Sequence, residues 1–168
     1  MSYDIADQLP EAEKHENYLD EFFRKKWKVE IESVDRAGQR YGIDRIWKWQ
    51  SGARMTVEYK ADNTADRTNN VFIETVSVDK DNKPGWAFTS LAQYLLYYIP
   101  PRKIAYFLSM TAIKKNVVWW KTQYKELPIQ NKNYITYGIP VPIEELIEDT
   151  INGMRGVADR IGLKGNSV

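Results

Sequence analysis

The sequence predicts a mixed α/β fold, with a central mixed β-sheet flanked by helices. The chain has 168 residues, of which 43% are hydrophobic, and this size and composition suit one domain with one sizeable core. Strand-like and helix-like segments are interspersed along it, and no repeat, low-complexity tract or linker divides it. We therefore expect residues 1–168 to form a single domain, with residues 161–168 as a flexible tail.

The order of the elements follows from hydrophobic spacing and from turn-forming residues. Apolar residues at helical spacing, with acids early and bases late, indicate a helix at the N-terminus. Apolar and alternating runs between turn signals indicate strands. The predicted elements are a helix at 6–26, strands at 27–34, 41–49, 54–61 and 71–78, a helix at 86–99, a strand at 103–110, a helix at 111–124 in which 117–120 also suits a strand, an edge strand at 133–141, and a helix at 143–160.

The composition excludes several classes of protein. The chain has no cysteine, which excludes disulfides, cysteine-ligated zinc and thiol catalysis. Its start carries acids and no apolar signal region, and no apolar run approaches the ~20 residues that span a bilayer. Phosphate-binding, dinucleotide-binding and serine-hydrolase motifs are not found in the sequence. These observations predict a cytoplasmic protein, and a net charge of +1 argues against binding nucleic acid through bulk charge.

The segment 54–60 is the most informative part of the chain. Alternate side chains of a strand share a face, so Glu58 and Lys60 would lie on one side and apolar Val57 on the other. A Glu-x-Lys pair alone is weak evidence for a functional site, because a half-exposed strand with ordinary surface charge has the same pattern. The preceding run adds Asp44, and a hairpin at Gly52 would bring it beside Glu58.

Two carboxylates and a lysine on adjacent strands form a minimal set for metal-dependent hydrolysis. A lone Asp44 in an apolar run needs a partner, and a divalent cation shared with Glu58 would provide one. Mg²⁺ prefers oxygen ligands and is usually held by one or two carboxylates, and Mn²⁺ can replace it. Lys60 could then orient the attacking water or stabilise the transition state.

At this point the chain resembles the PD-(D/E)XK nuclease superfamily, which has a restriction-endonuclease-like fold. The resemblance rests on Gly42-Ile43-Asp44 followed by Val57-Glu58-Tyr59-Lys60. It implies a core of order α-β-β-β-α-β, here with one extra strand before the second helix and with C-terminal additions. It also implies an accessory acid on the first helix, for which Glu16 is the best match and Glu13 the second. The stretch 68–74, with 83–86 beyond it, resembles uncharacterised phage and bacterial members.

The resemblance extends to a possible pair of supporting residues. RecB-type members carry Gln-x-x-x-Tyr on the helix after the catalytic strands, and Gln93 and Tyr97 match this spacing. Two features depart from the superfamily pattern. Ile43 replaces the proline of the nominal motif, and the extra strand carries Glu74, which is either a further site residue or part of a salt bridge.

The resulting hypothesis is a magnesium-dependent nuclease. Asp44 and Glu58 would bind the metal, Lys60 would be the catalytic cation, and DNA is the expected substrate because most of the resembling families cut DNA. A homodimer is compatible with the sequence, since many such nucleases are dimeric. The alternative is a catalytically silent nuclease-fold module that binds nucleic acid or a protein partner. A weaker alternative is a toxin or defence component whose target is RNA.

Overall fold

The computed structural model describes the backbone of residues 5–152 and the side chains of residues 11–150. Six α-helices and nine strands are interspersed in this range. The helices are α1 Ile5–Trp27, α2 Arg36–Arg40, α3 Ala65–Thr68, α4 Trp86–Thr89, α5 Met110–Gln123 and α6 Ile143–Asn152. The strands are β1 Glu30–Ser33, β2 Arg45–Lys48, β3 Arg54–Ala61, β4 Asn70–Val78, β5 Lys83–Pro84, β6 Tyr94–Ile99, β7 Ile104–Ser109, β8 Leu127–Gln130 and β9 Ile135–Pro142.

The central sheet contains five strands in the order β1-β2-β3-β6-β7. Its first three strands form an antiparallel meander, and the chain then crosses over to β6, which pairs with β3 in parallel. β7 completes the sheet by an antiparallel pairing with β6. The fold is thus mixed α/β, with a mixed central sheet flanked by helices, as the sequence predicts.

A second sheet lies in the crossover and in the C-terminal part of the described chain. It is antiparallel, has four strands and has the order β5-β4-β9-β8. The sequence indicated β4 and β9 as strands but did not indicate that they pair with each other. The predicted edge position of β9 is wrong, because β9 pairs with β4 on one side and with β8 on the other. β5 and β8 were not predicted, since they are short and lie almost wholly in exposed, turn-rich sequence.

Two hydrophobic clusters pack on the two faces of the central sheet. On one face, α1 covers the sheet with Leu19 and Phe23, which pack with Trp47 and Val57. On the other face, the second sheet and helices α4, α5 and α6 enclose a larger cluster around Leu95. Strand β6 lies between the two clusters, and five of its six residues are buried.

The predicted helix at 86–99 is wrong. Its first four residues form α4, and its last six form the buried strand β6. A short, continuous apolar run is compatible with either structure by periodicity alone, and only the parallel pairing with β3 decides between them. Pro100 does end the element, although the element is a strand and a short 3₁₀ turn follows.

Most other predicted elements agree with the structure within a few residues. The N-terminal helix, the hairpin of β2 and β3, the strand β7 and the helix α5 lie where the spacing placed them. The C-terminal helix is confirmed over Ile143–Asn152, while the remainder of the predicted helix and the tail at 161–168 lie outside the described residues. Within the described part of the chain, no helix combines the length and the apolar character needed to cross a bilayer.

Candidate functional site

The two faces of β3 have opposite character, as its alternating sequence predicts. Val57 and Tyr59 lie in the cluster beneath α1. Glu58 and Lys60 are in register with Leu95 and Tyr97 of the parallel strand β6, whose side chains belong to the cluster on the other face. Glu58 and Lys60 therefore lie between the central sheet and the second sheet.

Glu58 is a buried carboxylate with incomplete hydrogen bonding. Its side chain is 2% exposed, and its Oε1 lies 2.8 Å from the Nζ of Lys60. Its Oε2 has no hydrogen-bond partner among the described residues. An ionised carboxylate that is removed from water needs compensating contacts, and one lysine supplies them for one oxygen of the two. The second oxygen is thus available to a further ligand.

Asp44 is held against the same part of β3. It directly precedes β2, and continuing the register by one residue beyond the Arg45–Val57 pair places it opposite Glu58. Its main-chain N–H donates to Val57, 3.0 Å away, and its Oδ2 accepts from the main-chain N–H of Tyr59 at 2.7 Å. The carboxylate therefore has a defined position beside the Glu58 strand.

The segment before Asp44 is fixed by contacts with the entry to β6. Gly42 has a φ of +68°, and a Cβ atom there would lie 2.8 Å from the Oγ of Ser90, so both conformation and space favour glycine. Ser90 also donates a hydrogen bond to the carbonyl of Gly42, and the N–H of Leu91 donates to that of Tyr41. These contacts tie the loop that carries Asp44 to the strand beside β3.

Lys60 is the cation of the site and stays protonated. Burial by itself would lower the pKa of its ammonium group, but the carboxylates of Glu58, Asp44 and Glu74 raise that pKa above its ordinary value. The side chain is 38% exposed, so its charge can reach a bound ligand. A permanently charged lysine can stabilise negative charge but is a poor proton acceptor.

Glu74, on the extra strand β4, faces the same region from the second sheet. Its Oε1 accepts a hydrogen bond from the main-chain N–H of Trp86 at 3.3 Å. Burial raises the pKa of its carboxyl group and the charge of Glu58 adds to this, while Lys60 opposes it. Glu74 thus contributes to the charge of the site. The salt bridge with the loop at 62–70 that the sequence left open is not among the ion pairs of the described residues.

Glu16 lies on the opposite face of the central sheet. Its Oε2 pairs with the Nη2 of Arg45 at 2.9 Å, and the Nε of Arg45 pairs with Asp20 at the same distance. Burial raises the pKa of the Glu16 carboxyl, and Asp44 and Asp20 add to it, whereas Arg45 opposes it. The structure therefore brings Glu16 into a network with Arg45. The second match, Glu13, is an exposed residue of α1.

Gln93 and Tyr97 do not share a helix face, because the predicted helix is absent there. The side-chain Oε1 of Gln93 accepts from the main-chain N–H of Thr56 at 3.0 Å, next to the start of β6. Tyr97, in β6, donates its hydroxyl to Asp62 and accepts from the N–H of Phe72. Burial, followed by the charge of Asp62, raises the pKa of Tyr97 well above its ordinary value. Both residues thus connect strands around the site.

The sequence reasoning missed the buried network beneath the sheet. Arg45 and Asp20 are both buried, and the hydroxyl of Tyr59 donates to Asp20 at 2.9 Å while accepting from the indole N–H of Trp47. The signal for Arg45 was present, since a charged residue adjacent to Asp44 in an apolar run also needs a partner. Asp62, directly after β3, was assigned to a polar loop, because an aspartate in polar sequence gives no signal that it needs a partner.

The donor set fits a hard divalent cation held by few protein ligands. Glu58 offers an unpartnered buried oxygen, Asp44 offers a second carboxylate, and Mg²⁺ commonly uses one or two carboxylates with waters completing the shell. Among the described residues, no group of three or more acidic, histidine or cysteine side chains could hold a metal ion together.

No known protein-family model matches the chain, and no curated protein or solved structure is significantly similar to it.

Proposed function

We propose that the protein is a metal-dependent nuclease that hydrolyses phosphodiester bonds, with Asp44 and Glu58 as the metal-binding carboxylates and Lys60 as the catalytic cation. The observation that carries this proposal is the buried carboxylate of Glu58. One of its oxygens is paired with Lys60 and the other has no partner among the described residues. Asp44 supplies the second carboxylate, which accepts a hydrogen bond from the main-chain N–H of Tyr59, the residue after Glu58.

Each residue has a distinct role in the proposed reaction. Asp44 and Glu58 would hold Mg²⁺, or Mn²⁺ in its place, which would lower the pKa of a bound water and offset negative charge on the phosphate. Lys60, whose pKa is raised by its carboxylate neighbours, would bind a phosphate oxygen and stabilise the charge that develops there. Gln93 fixes the start of β6 against β3 through Thr56, and Tyr97 fixes the end of β3 through Asp62. Glu16, whose carboxylate pairs with Arg45 next to Asp44, is the proposed accessory acid.

The topology supports a restriction-endonuclease-like core. An N-terminal helix followed by an antiparallel meander of three strands, with the next strand of the sheet parallel to the third, has the order that the resemblance implies. The crossover differs, because strands β4 and β5 and the short helix α4 replace a single long helix. The proposal therefore includes this finer fold with an elaborated crossover.

DNA is the proposed substrate in preference to RNA, as most of the resembling families cut DNA. A cytoplasmic location and a homodimer remain predictions. The test is a cleavage panel of linear, circular single-stranded and branched DNA and of RNA, with Mg²⁺, Mn²⁺ or EDTA. Wild type should cut at least one substrate in a metal-dependent manner. Lys60→Ala and Glu58→Gln should lower the rate by roughly 10²-fold or more.

A matched control keeps the panel interpretable. Lys48→Ala removes a lysine of the neighbouring strand that pairs with Glu32 away from the site, and it should cut like wild type. Equal silence of wild type and both site variants on every substrate with metal present would overturn the catalytic proposal. Binding without cleavage would then favour the nuclease-fold binding module.

A further inference from the structure

A cavity of about 510 Å³ opens beside Lys60, between the end of β3 and the second sheet. Its volume falls in the range of pockets that hold small organic ligands, ~300–1,000 Å³. Much of its wall is apolar and includes the rings of Phe72 and Trp86. Lys60 and Glu74 lie in the same wall, so the cavity is continuous with the candidate site.

The aromatic part of the wall is held in position by its packing. Phe72 lies against Gly138 of the neighbouring strand β9, where an added Cβ would come within 2.4 Å of the ring. The absence of a side chain at Gly138 therefore makes room for the ring. Trp86 is 8% exposed and begins α4, and its main-chain N–H donates a hydrogen bond to Glu74. A planar ligand would meet the ring of Phe72 and the wall residues Pro128 and Pro140.

The charge of the wall disfavours an anion. Asp62 and Glu74 both contribute carboxyl groups, against the one ammonium of Lys60. Asp62 is already saturated by Tyr97 and by the main-chain N–H groups of Thr64 and Ala65. A phosphate would be repelled from the interior and held at Lys60, while an uncharged, planar group with polar edges suits the interior. A nucleobase has this chemistry.

We propose that this cavity takes up one unpaired nucleobase of the substrate while the adjoining phosphate lies at Lys60. The inference deepens the proposed function and depends on it for the identity of the ligand. It makes the substrate single-stranded or locally unpaired nucleic acid, because a base within a duplex stack cannot enter a pocket unless it is flipped out. Stacking on aromatic side chains accepts any base, so no sequence preference is implied.

The experiment measures binding in EDTA, so that metal-dependent cleavage plays no part. A fluorescein-labelled 12-nucleotide single strand and the corresponding duplex are titrated with wild type, Phe72→Ala, Leu127→Trp and Trp119→Ala, and fluorescence anisotropy gives each Kd. Leu127 is an exposed residue of the cavity wall, so its enlargement fills the opening without disturbing the core. Trp119 is an exposed aromatic residue of α5 that does not line the cavity and serves as the control.

Wild type should bind the single strand at least tenfold more tightly than the duplex. Phe72→Ala and Leu127→Trp should each weaken single-strand binding by about tenfold, within the range of one stacked base, and should leave duplex binding unchanged. Trp119→Ala should bind like wild type. If Phe72→Ala does not fold, Leu127→Trp decides the result.

Equal affinity for single strand and duplex, no binding of either, or wild-type binding by Leu127→Trp would overturn the pocket. Its failure is distinguishable from that of the proposed nuclease. Metal-dependent cleavage together with normal binding by the cavity variants would refute the base-binding pocket and leave the proposed nuclease intact. Cavity-dependent binding by a protein that cuts nothing would remove the catalysis and retain the pocket.

Discussion

The pairing of Lys60 with Glu58 makes a direct prediction about stability. Lys60→Met keeps most of the length and apolar volume of the side chain but removes its charge, so that Glu58 loses the partner that lies 2.8 Å away. Since the other oxygen of Glu58 already lacks a partner among the described residues, the variant carries a buried carboxylate without compensation on either side. The folded state should therefore be destabilised.

The size of the effect follows from the exposure of the two partners. Breaking a fully buried ion pair costs about 3–5 kcal/mol, while an exposed pair contributes about 0–1 kcal/mol. Glu58 is 2% exposed but Lys60 is 38% exposed, which lets water replace part of the lost interaction. We expect Lys60→Met to lower the free energy of unfolding by about 2–3 kcal/mol. In urea this corresponds to a fall in the midpoint of roughly 1–2 M.

The assay is urea denaturation of wild type, Lys60→Met, Glu58→Gln and the double variant. Glu58→Gln removes the charge that Lys60 neutralises, so the double variant should lose less than the sum of the single losses, with a coupling of about 1–2 kcal/mol. Lys48→Met is the control, because its partner Glu32 is 44% exposed, against 2% for Glu58, and the loss should stay below about 1 kcal/mol. A loss below about 0.5 kcal/mol for Lys60→Met, or strict additivity, would refute the reasoning.

Three further predictions concern the surroundings of the site. Arg45→Met leaves the buried Asp20 with only the more distant Arg24, 3.9 Å away, as a cation, and should cost up to about 3–5 kcal/mol in urea denaturation. The exposed Arg36→Met should cost little, and a loss under about 1 kcal/mol for Arg45→Met would contradict the ion-pair argument. Burial raises the pKa of Glu74 in the folded state, so folding favours its protonated form. Glu74→Gln should therefore raise Tm at pH 7, and this gain should disappear once the pH is below 4.5, the ordinary pKa of the glutamate side chain. An equal gain in Tm at pH 7 and below pH 4.5 would contradict the prediction. Gly85→Ala would place a Cβ 2.2 Å from the main-chain oxygen of Glu74. The variant should therefore lose at least about 1–3 kcal/mol of unfolding free energy, measured by thermal unfolding. A variant as stable as wild type would show that the backbone adjusts freely.

The sequence could predict the part of the site that depends on local pattern. The alternation in β3 identified the polar and apolar faces before any contact was known, and Gly52 at the hairpin turn related Asp44 to Glu58. These features follow from a period of two and from turn chemistry, which are properties of short segments. The structure adds that Glu58 is buried and that Lys60 pairs with it.

The rest depended on contacts between distant segments. β6 is a strand because it inserts between β3 and β7, and the apolar run that forms it would also suit a helix. A signal for the strand was nevertheless present in its three tyrosines and its terminal isoleucine, which favour sheets. The place of Glu16 on α1 indicated a site residue but not its partner Arg45, which lies 29 positions further along the chain. Such pairs are determined by tertiary packing and not by spacing.

The proposed function requires that Asp44 and Glu58 hold one divalent cation beside Lys60. The most direct measurement is a crystal structure of the protein grown with Mn²⁺, with anomalous diffraction used to locate the metal. We expect one strong peak within about 2.1 Å of a carboxylate oxygen of each residue, a distance typical of Mg²⁺ sites, with the Oε2 of Glu58 among the ligands. A crystal with millimolar Mn²⁺ in which this position is empty and Glu58 contacts Lys60 alone would contradict the account.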